Sequence, residues 1–157
     1  MTAMLRARTR APGVEELRPV APLVAAVDGS PASLAAVEEA ISLARDLDAP
    51  LVFAYVRREP RGYPGAPYYQ RQLTGAMGRA RRALDHAVGM AAGAGIDAEA
   101  EILEGNPRRR IVEFAHDRGA QMVIVGSRRR RLSRSVSRGV ARAADRPVMV
   151  AAPAGAG

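Results

Sequence analysis

Short continuous apolar runs alternate along this chain with longer stretches in which apolar residues recur every three or four positions. Leu23 to Val27 (LVAAV) is the first run, and it stops at Asp28-Gly29-Ser30-Pro31. Ser30 suits an N-cap, and Pro31 suits the first helical position, where its missing N–H would have no partner anyway. Leu34, Val37, Ile41, Ala44 and Leu47 then fall on one face of a helix. Leu51 to Val56 (LVFAYV) is a second apolar run after Asp48-Ala49-Pro50. Two such runs around a helix make a βαβ unit, with parallel strands and a right-handed crossover.

Residues 57–69 (RREPRGYPGAPYY) are rich in proline and glycine and read as a loop. Helical spacing resumes with Leu73, Met77, Ala80, Leu84 and Val88 and ends near Gly93 and Gly95. From Ile96 to Leu103 the pattern changes: Ile96, Ala98, Ala100 and Ile102 face one way, while Asp97, Glu99 and Glu101 face the other. A strand with one wet face belongs at a sheet edge. A turn at Gly105-Asn106-Pro107 opens a third helix with Ile111, Val112, Phe114 and Ala115, closed by Gly119. Met122 to Val125 (MVIV) is a fourth strand, halted at Gly126-Ser127. A helix near Ser135 to Ala144 and a fifth strand, Val148 to Ala151, complete the set.

Alternating strands and helices predict an α/β three-layer sandwich around one five-stranded parallel sheet. Placing the half-wet third strand at an edge gives the order 3-2-1-4-5. In that order the chain reverses between strands one and four, and ligands bind at the carboxyl ends of such strands. Asp28-Gly29-Ser30 and Gly126-Ser127 are therefore candidate site segments.

Composition narrows the function. The 157 residues contain no cysteine, which removes disulfides, thiolate metal sites and a cysteine nucleophile, and fits a cytoplasmic setting. No stretch reaches the roughly 20 apolar residues of a membrane span. The basic start lacks an apolar core and does not read as a secretory signal. Residues 1–20 read as a disordered extension, 21–152 as the domain and 153–157 as a flexible tail. The formal charge is +8 and every basic residue other than histidine is arginine, the side chain best suited to planar contact with phosphate.

The ordered set Val24–Ser33 (VAAVDGSPAS), Glu104–Ala115 (EGNPRRRIVEFA), Met122–Ser127 (MVIVGS), Ser135-Val136-Ser137 and Arg146-Pro147-Val148 resembles the universal stress protein family over residues 21–152. The resemblance implies a stress-response binding and signalling module, not an enzyme, paired as a homodimer through Val148, Met149, Val150 and Ala151. The family's nucleotide-binding members cradle ATP phosphates with a G-x-x-G-x9-G-S/T stretch. Carried over by position, Asp28, Val56, Val125, Gly126, Ser135 and Val136 match the family's ligand-contacting positions. Arginines stand at the second and third glycine positions, Arg129 and Arg134, and the interval from Gly126 to Arg134 is about five residues shorter than the pattern. Backbone N–H groups that must converge on phosphate need glycine there. The resemblance therefore implies a degenerate nucleotide site with weak or no ATP binding. An ATP-binding member with slow hydrolysis is one alternative, and a polyanion-binding protein using the arginine loop is another.

The remaining chemistry-bearing residues have structural readings beside functional ones. Asp28 can accept from adenine or simply cap the turn into the first helix. Arg128–Arg131 with Arg134, Arg138 and Arg142 is a solvated charge run or a polyanion stripe. Specific nucleic-acid recognition is not expected, because stacking aromatics in a recognition signature are missing. His86 and His116 lack partners at metal-ligand spacing and read as structural. The serines at 127, 133, 135 and 137 lack a neighbouring histidine or a G-x-S-x-G elbow, so a catalytic serine is not expected. Tyr63, Tyr68 and Tyr69 could cover a pocket, dock on another subunit or pack on the surface.

Overall fold

The strands β1 (Leu23–Ala26), β2 (Leu51–Arg57), β3 (Ala98–Glu104), β4 (Met122–Gly126) and β5 (Val148–Ala151) form one sheet in the order β3-β2-β1-β4-β5. Every pairing is parallel. The helices between them are α1 (Pro31–Leu47), α2 (Pro67–Gly93), α3 (Pro107–Asp117) and α4 (Val136–Ala143). This computed structural model describes residues 19–127 and 136–153. The expectations for residues 1–18, for the arginines 128–131 and 134, for Ser135 and for residues 154–157 lie outside the described residues.

Strand alternation sends side chains into two cores, one on each face of the sheet. Leu23, Ala25, Leu51, Phe53 and Ile124 pack under α1 and α2. Val24, Val52, Ala54, Val123 and Val125 pack under α3 and α4. Strands covered on both faces read as continuous apolar runs, which is why β1, β2 and β4 were legible. Fully buried Leu23, Leu51, Phe53 and Ile124 each contribute about 1.5–3 kcal/mol relative to exposure.

The helix faces differ from the expected ones in detail. Leu34 and Leu47 are 40% and 44% exposed, and the buried stripe of α1 is Ser33, Ala36, Val37, Ala40, Ile41 and Ala44. The alanines and Ser33 in this stripe let α1 approach the sheet closely, with Val37 and Ile41 filling the contact, and Leu34 and Leu47 lie outside it. In β3, Leu103 is buried under α3 while Ile102 packs on the opposite core. Glu99 and Glu101 stay exposed and pair with Arg118 at 3.0 and 3.6 Å, which charges that edge.

α2 begins at Pro67, so Tyr68 and Tyr69 are helical rather than in the loop. Proline at the first position loses no hydrogen bond, and the loop closes a turn into the helix, Ala66 N–H donating to the Tyr63 carbonyl at 3.0 Å. Ala83 stands beside Gly29, beyond the end of β1. About 24 Å of α2 lies N-terminal to that level, at 1.5 Å per residue from Pro67 to Ala83.

At the other end of the sheet, Arg146 ties the approach to β5 onto α3. Its guanidinium donates to the carbonyls of Ala115 at 3.0 Å and Ala120 at 2.7 Å. Those carbonyls lie in the last turn of α3 and just beyond it, where intrahelical donors run out. His116 and Asp145 join the same cluster, with Nδ1 3.1 Å from the carboxylate.

Candidate functional site

The carboxyl end of β1 turns into α1 through a chain of local hydrogen bonds. Ser30 N–H donates to Asp28 Oδ1 at 2.8 Å, closing an Asx turn. Ser30 Oγ in turn accepts from Ser33 N–H at 3.2 Å, the expected N-cap. Ser33 Oγ accepts from Asp28 N–H at 3.0 Å, which returns the loop on itself. Gly29 sits at φ +80°, a conformation that side chains resist. Asp28 is thus a turn-forming residue whatever else it does.

This turn borders a cavity of about 290 Å³ at the carboxyl ends of β1, β2 and β4. Its walls include Ala26, Val27, Asp28, Ala54, Val56, Val125, Gly126 and Val136. The cavity lies at the switch point, where the order of strands reverses about β1 and β4. Of the six candidate positions, Asp28, Val56, Val125, Gly126 and Val136 come together here, and Ser135 lies outside the described residues. Ser33, Pro107, Ile111 and Ser137 also line it and are not among the six candidate positions. Ser33 and Ser137 are each 5% exposed.

Three helices begin around this space: α1 at Ser30–Ser33, α3 at Pro107 and α4 at Val136–Ser137. None carries an acidic residue in its first turn. Their partial positive ends therefore meet with little opposing charge, and Asp28 is the one carboxylate among the described lining residues. The other walls are mostly apolar. Such a space suits a small, partly apolar ligand with a negative group.

Gly126 has a second reason to be glycine. A Cβ there would fall inside the carbonyl of Ala32 and come within 2.8 Å of Ser33 N, so β4 touches the backbone of α1. Its small size serves packing as well as any ligand. Among the described residues no group of histidine and carboxylate side chains could hold a metal ion. No described helix is long and apolar enough to cross a membrane.

A five-stranded, doubly wound parallel sheet with helices on both faces and a crevice at its switch point places the chain in the three-layer α/β class. The family model for the universal stress protein family matches residues 20–152, and the chain belongs to that family. It is 31% identical over 135 residues to a universal stress protein of Methanocaldococcus jannaschii, covering 82% of this chain and 79% of that one. A universal stress protein family structure from Burkholderia pseudomallei superposes with TM-score 0.71 at 26% identity, covering 85% and 96% of the two chains. A universal stress protein from Archaeoglobus fulgidus in complex with dAMP gives TM-score 0.64 at 26% identity, covering 83% and 96%.

Proposed function

We propose that this chain is a cytoplasmic, non-catalytic binding module of the stress-response type, with residues 21–152 as its domain and a nucleotide site reduced to weak binding. The observation that carries this reading is the crevice at the switch point, where five family positions converge on a mostly apolar space ringed by helix N-termini. The reduction is argued from sequence: Arg129 and Arg134 occupy glycine positions of the phosphate cradle in a shortened segment. ATP then binds no tighter than roughly millimolar, equivalent to about 4 kcal/mol, and binding falls as salt rises. Calorimetry with ATP and inorganic phosphate, at low and physiological salt, tests this. Micromolar, adenine-selective affinity that survives physiological salt and falls on Asp28→Ala would overturn it.

One observation favours a second reading. The Archaeoglobus relative is in complex with dAMP, a ligand with a single phosphate that needs less of a cradle than a triphosphate. Under this reading AMP binds more tightly than ATP in the same titrations.

We also propose pairing through β5. Val150 is 46% exposed on this edge, with Val148 and Met149 half-buried beside it, whereas the β3 edge is charged. An apolar open edge leaves backbone groups that a second copy can satisfy. Light scattering at micromolar concentration reads twice the chain mass if this holds. A monomer mass counts against it.

A further inference from the structure

Three of the four tyrosines and several arginines gather in one stretch, residues 57–82, away from the crevice walls. Tyr63 is 78% exposed and Tyr68 61% exposed. Tyr63 lies folded against Gly65, just before the N-terminal end of α2, and Gln70 Nε2 donates to the Pro64 carbonyl at 3.0 Å. The two rings therefore flank the first turn of α2. At helical spacing Tyr68, Arg71, Gly75, Arg79 and Arg82 share one face of that helix, opposite Leu73, Met77, Ala80 and Leu84. The guanidinium of Arg79 lies over Gly75 and that of Arg82 over Gly78, at 3.4 and 3.3 Å from where a Cβ would stand. Glycine leaves the helix bare there, so the cationic heads lie flat along it.

Among the described residues none of Arg71, Arg79 and Arg82 forms an ion pair, unlike Arg57, Arg109 and Arg118, which all pair with glutamates. Asp85, the one carboxylate of α2, comes after the stripe. Ala66 at the N-cap offers no side-chain acceptor, so the positive end of α2 adds to the same field. Tyr68 to Arg82 spans about 21 Å of helix, comparable to about six phosphates of a stacked strand at 3.4 Å each.

We propose that this face of α2, with Tyr63 and Tyr68 at its head, is a sequence-independent binding surface for single-stranded nucleic acid. Unpaired cations in a row neutralise backbone phosphates, and exposed rings stack on unpaired bases, which tolerate any sequence. A charged outer face by itself would attract any polyanion. The exposed tyrosines at one end select for bases that a duplex keeps stacked inside.

The test uses the full chain with fluorescently labelled oligo(dT), the matching duplex, and inorganic polyphosphate as competitor, read by anisotropy over a salt series. Arg71→Gln/Arg79→Gln/Arg82→Gln weakens oligo(dT) binding at least about tenfold and makes the salt slope shallower by about 2, at about 0.7 for each phosphate no longer neutralised. Tyr63→Ala/Tyr68→Ala weakens oligo(dT) at least about tenfold and leaves polyphosphate binding unchanged. Arg45→Gln, in the last turn of α1, changes neither. All these positions are exposed, and circular dichroism checks that the variants fold. Three results overturn the proposal: no binding of oligo(dT) at low salt, equal loss of oligo(dT) and polyphosphate binding in the tyrosine variant, or loss confined to substitution of Arg128–Arg131.

Discussion

Replacing Gly126 by alanine tests whether this glycine is held by packing. Its absent Cβ would collide with the Ala32 carbonyl and approach Ser33 N at 2.8 Å, and both are backbone atoms of the first turn of α1. Backbone cannot swing aside as an arginine tip can, so α1 must retreat by roughly 1 Å to restore ordinary contact. That helix is seated by Ala36 and Ala40, both 0% exposed, so any retreat opens a gap over the sheet. Overpacking of this kind costs about 1–3 kcal/mol, and backbone-on-backbone contact puts Gly126→Ala near the top. Alanine returns about 0.5–1 kcal/mol by restricting the unfolded chain. The net loss is about 2 kcal/mol, or about 4–8 °C in Tm for a chain of this size. Urea and thermal unfolding followed by circular dichroism measure it, with m unchanged. Gly89→Ala is the matched control: nothing lies within 4 Å of its Cβ position in α2, so it stabilises by about 0.5–1 kcal/mol. If Gly126→Ala matches or exceeds the parent in stability, the packing argument fails.

Ser33→Ala removes the acceptor of the Asp28 N–H at a site 5% exposed and lowers stability by about 1–2 kcal/mol, measured by urea midpoint. The Asp145 carboxyl is lowered from 3.8 to about 2, first by its hydrogen bond to Arg146 and then by that to His116. Because the folded value is depressed, its stabilisation is complete above about pH 4 and disappears as pH falls through about 2. Urea midpoints of the parent and Asp145→Asn therefore differ at neutral pH and converge near pH 2, and a gap constant with pH would refute this. Deleting residues 1–18 leaves Tm within a few degrees, because the described chain is already anchored at Ala21 and Pro22, whose carbonyls accept from Gln121. A larger drop in a melting scan would show that the segment packs on the domain.

The Asp28 turn, the crevice position and the strand order 3-2-1-4-5 were legible because each depends on a local signal. Strands covered on both faces must be apolar throughout, so 23–27, 51–56 and 122–125 announced central places. Asp97, Glu99 and Glu101 announced an edge. Once the order is known, the switch point follows from connectivity, which brought Asp28, Val56, Val125, Gly126 and Val136 to one cavity. Ser33 and Ile111 carry no such local signal, because in sequence they are ordinary helix positions. They face the cavity only because α1 and α3 start beside the same strand ends.

By itself, then, the sequence determined the alternation of elements, the edge at β3, the absence of thiol chemistry and the family, since periodicity and composition are properties of neighbouring residues. Tertiary structure alone decided that α1 lies on the sheet by its alanines while Leu34 and Leu47 face outward. It also decided that Gly126 closes against Ala32, and that α2 runs on past the strands with its arginines laid over glycines. Each of these turns on how closely two segments distant in sequence approach, and side-chain volume at a meeting point becomes visible only when both segments are in place.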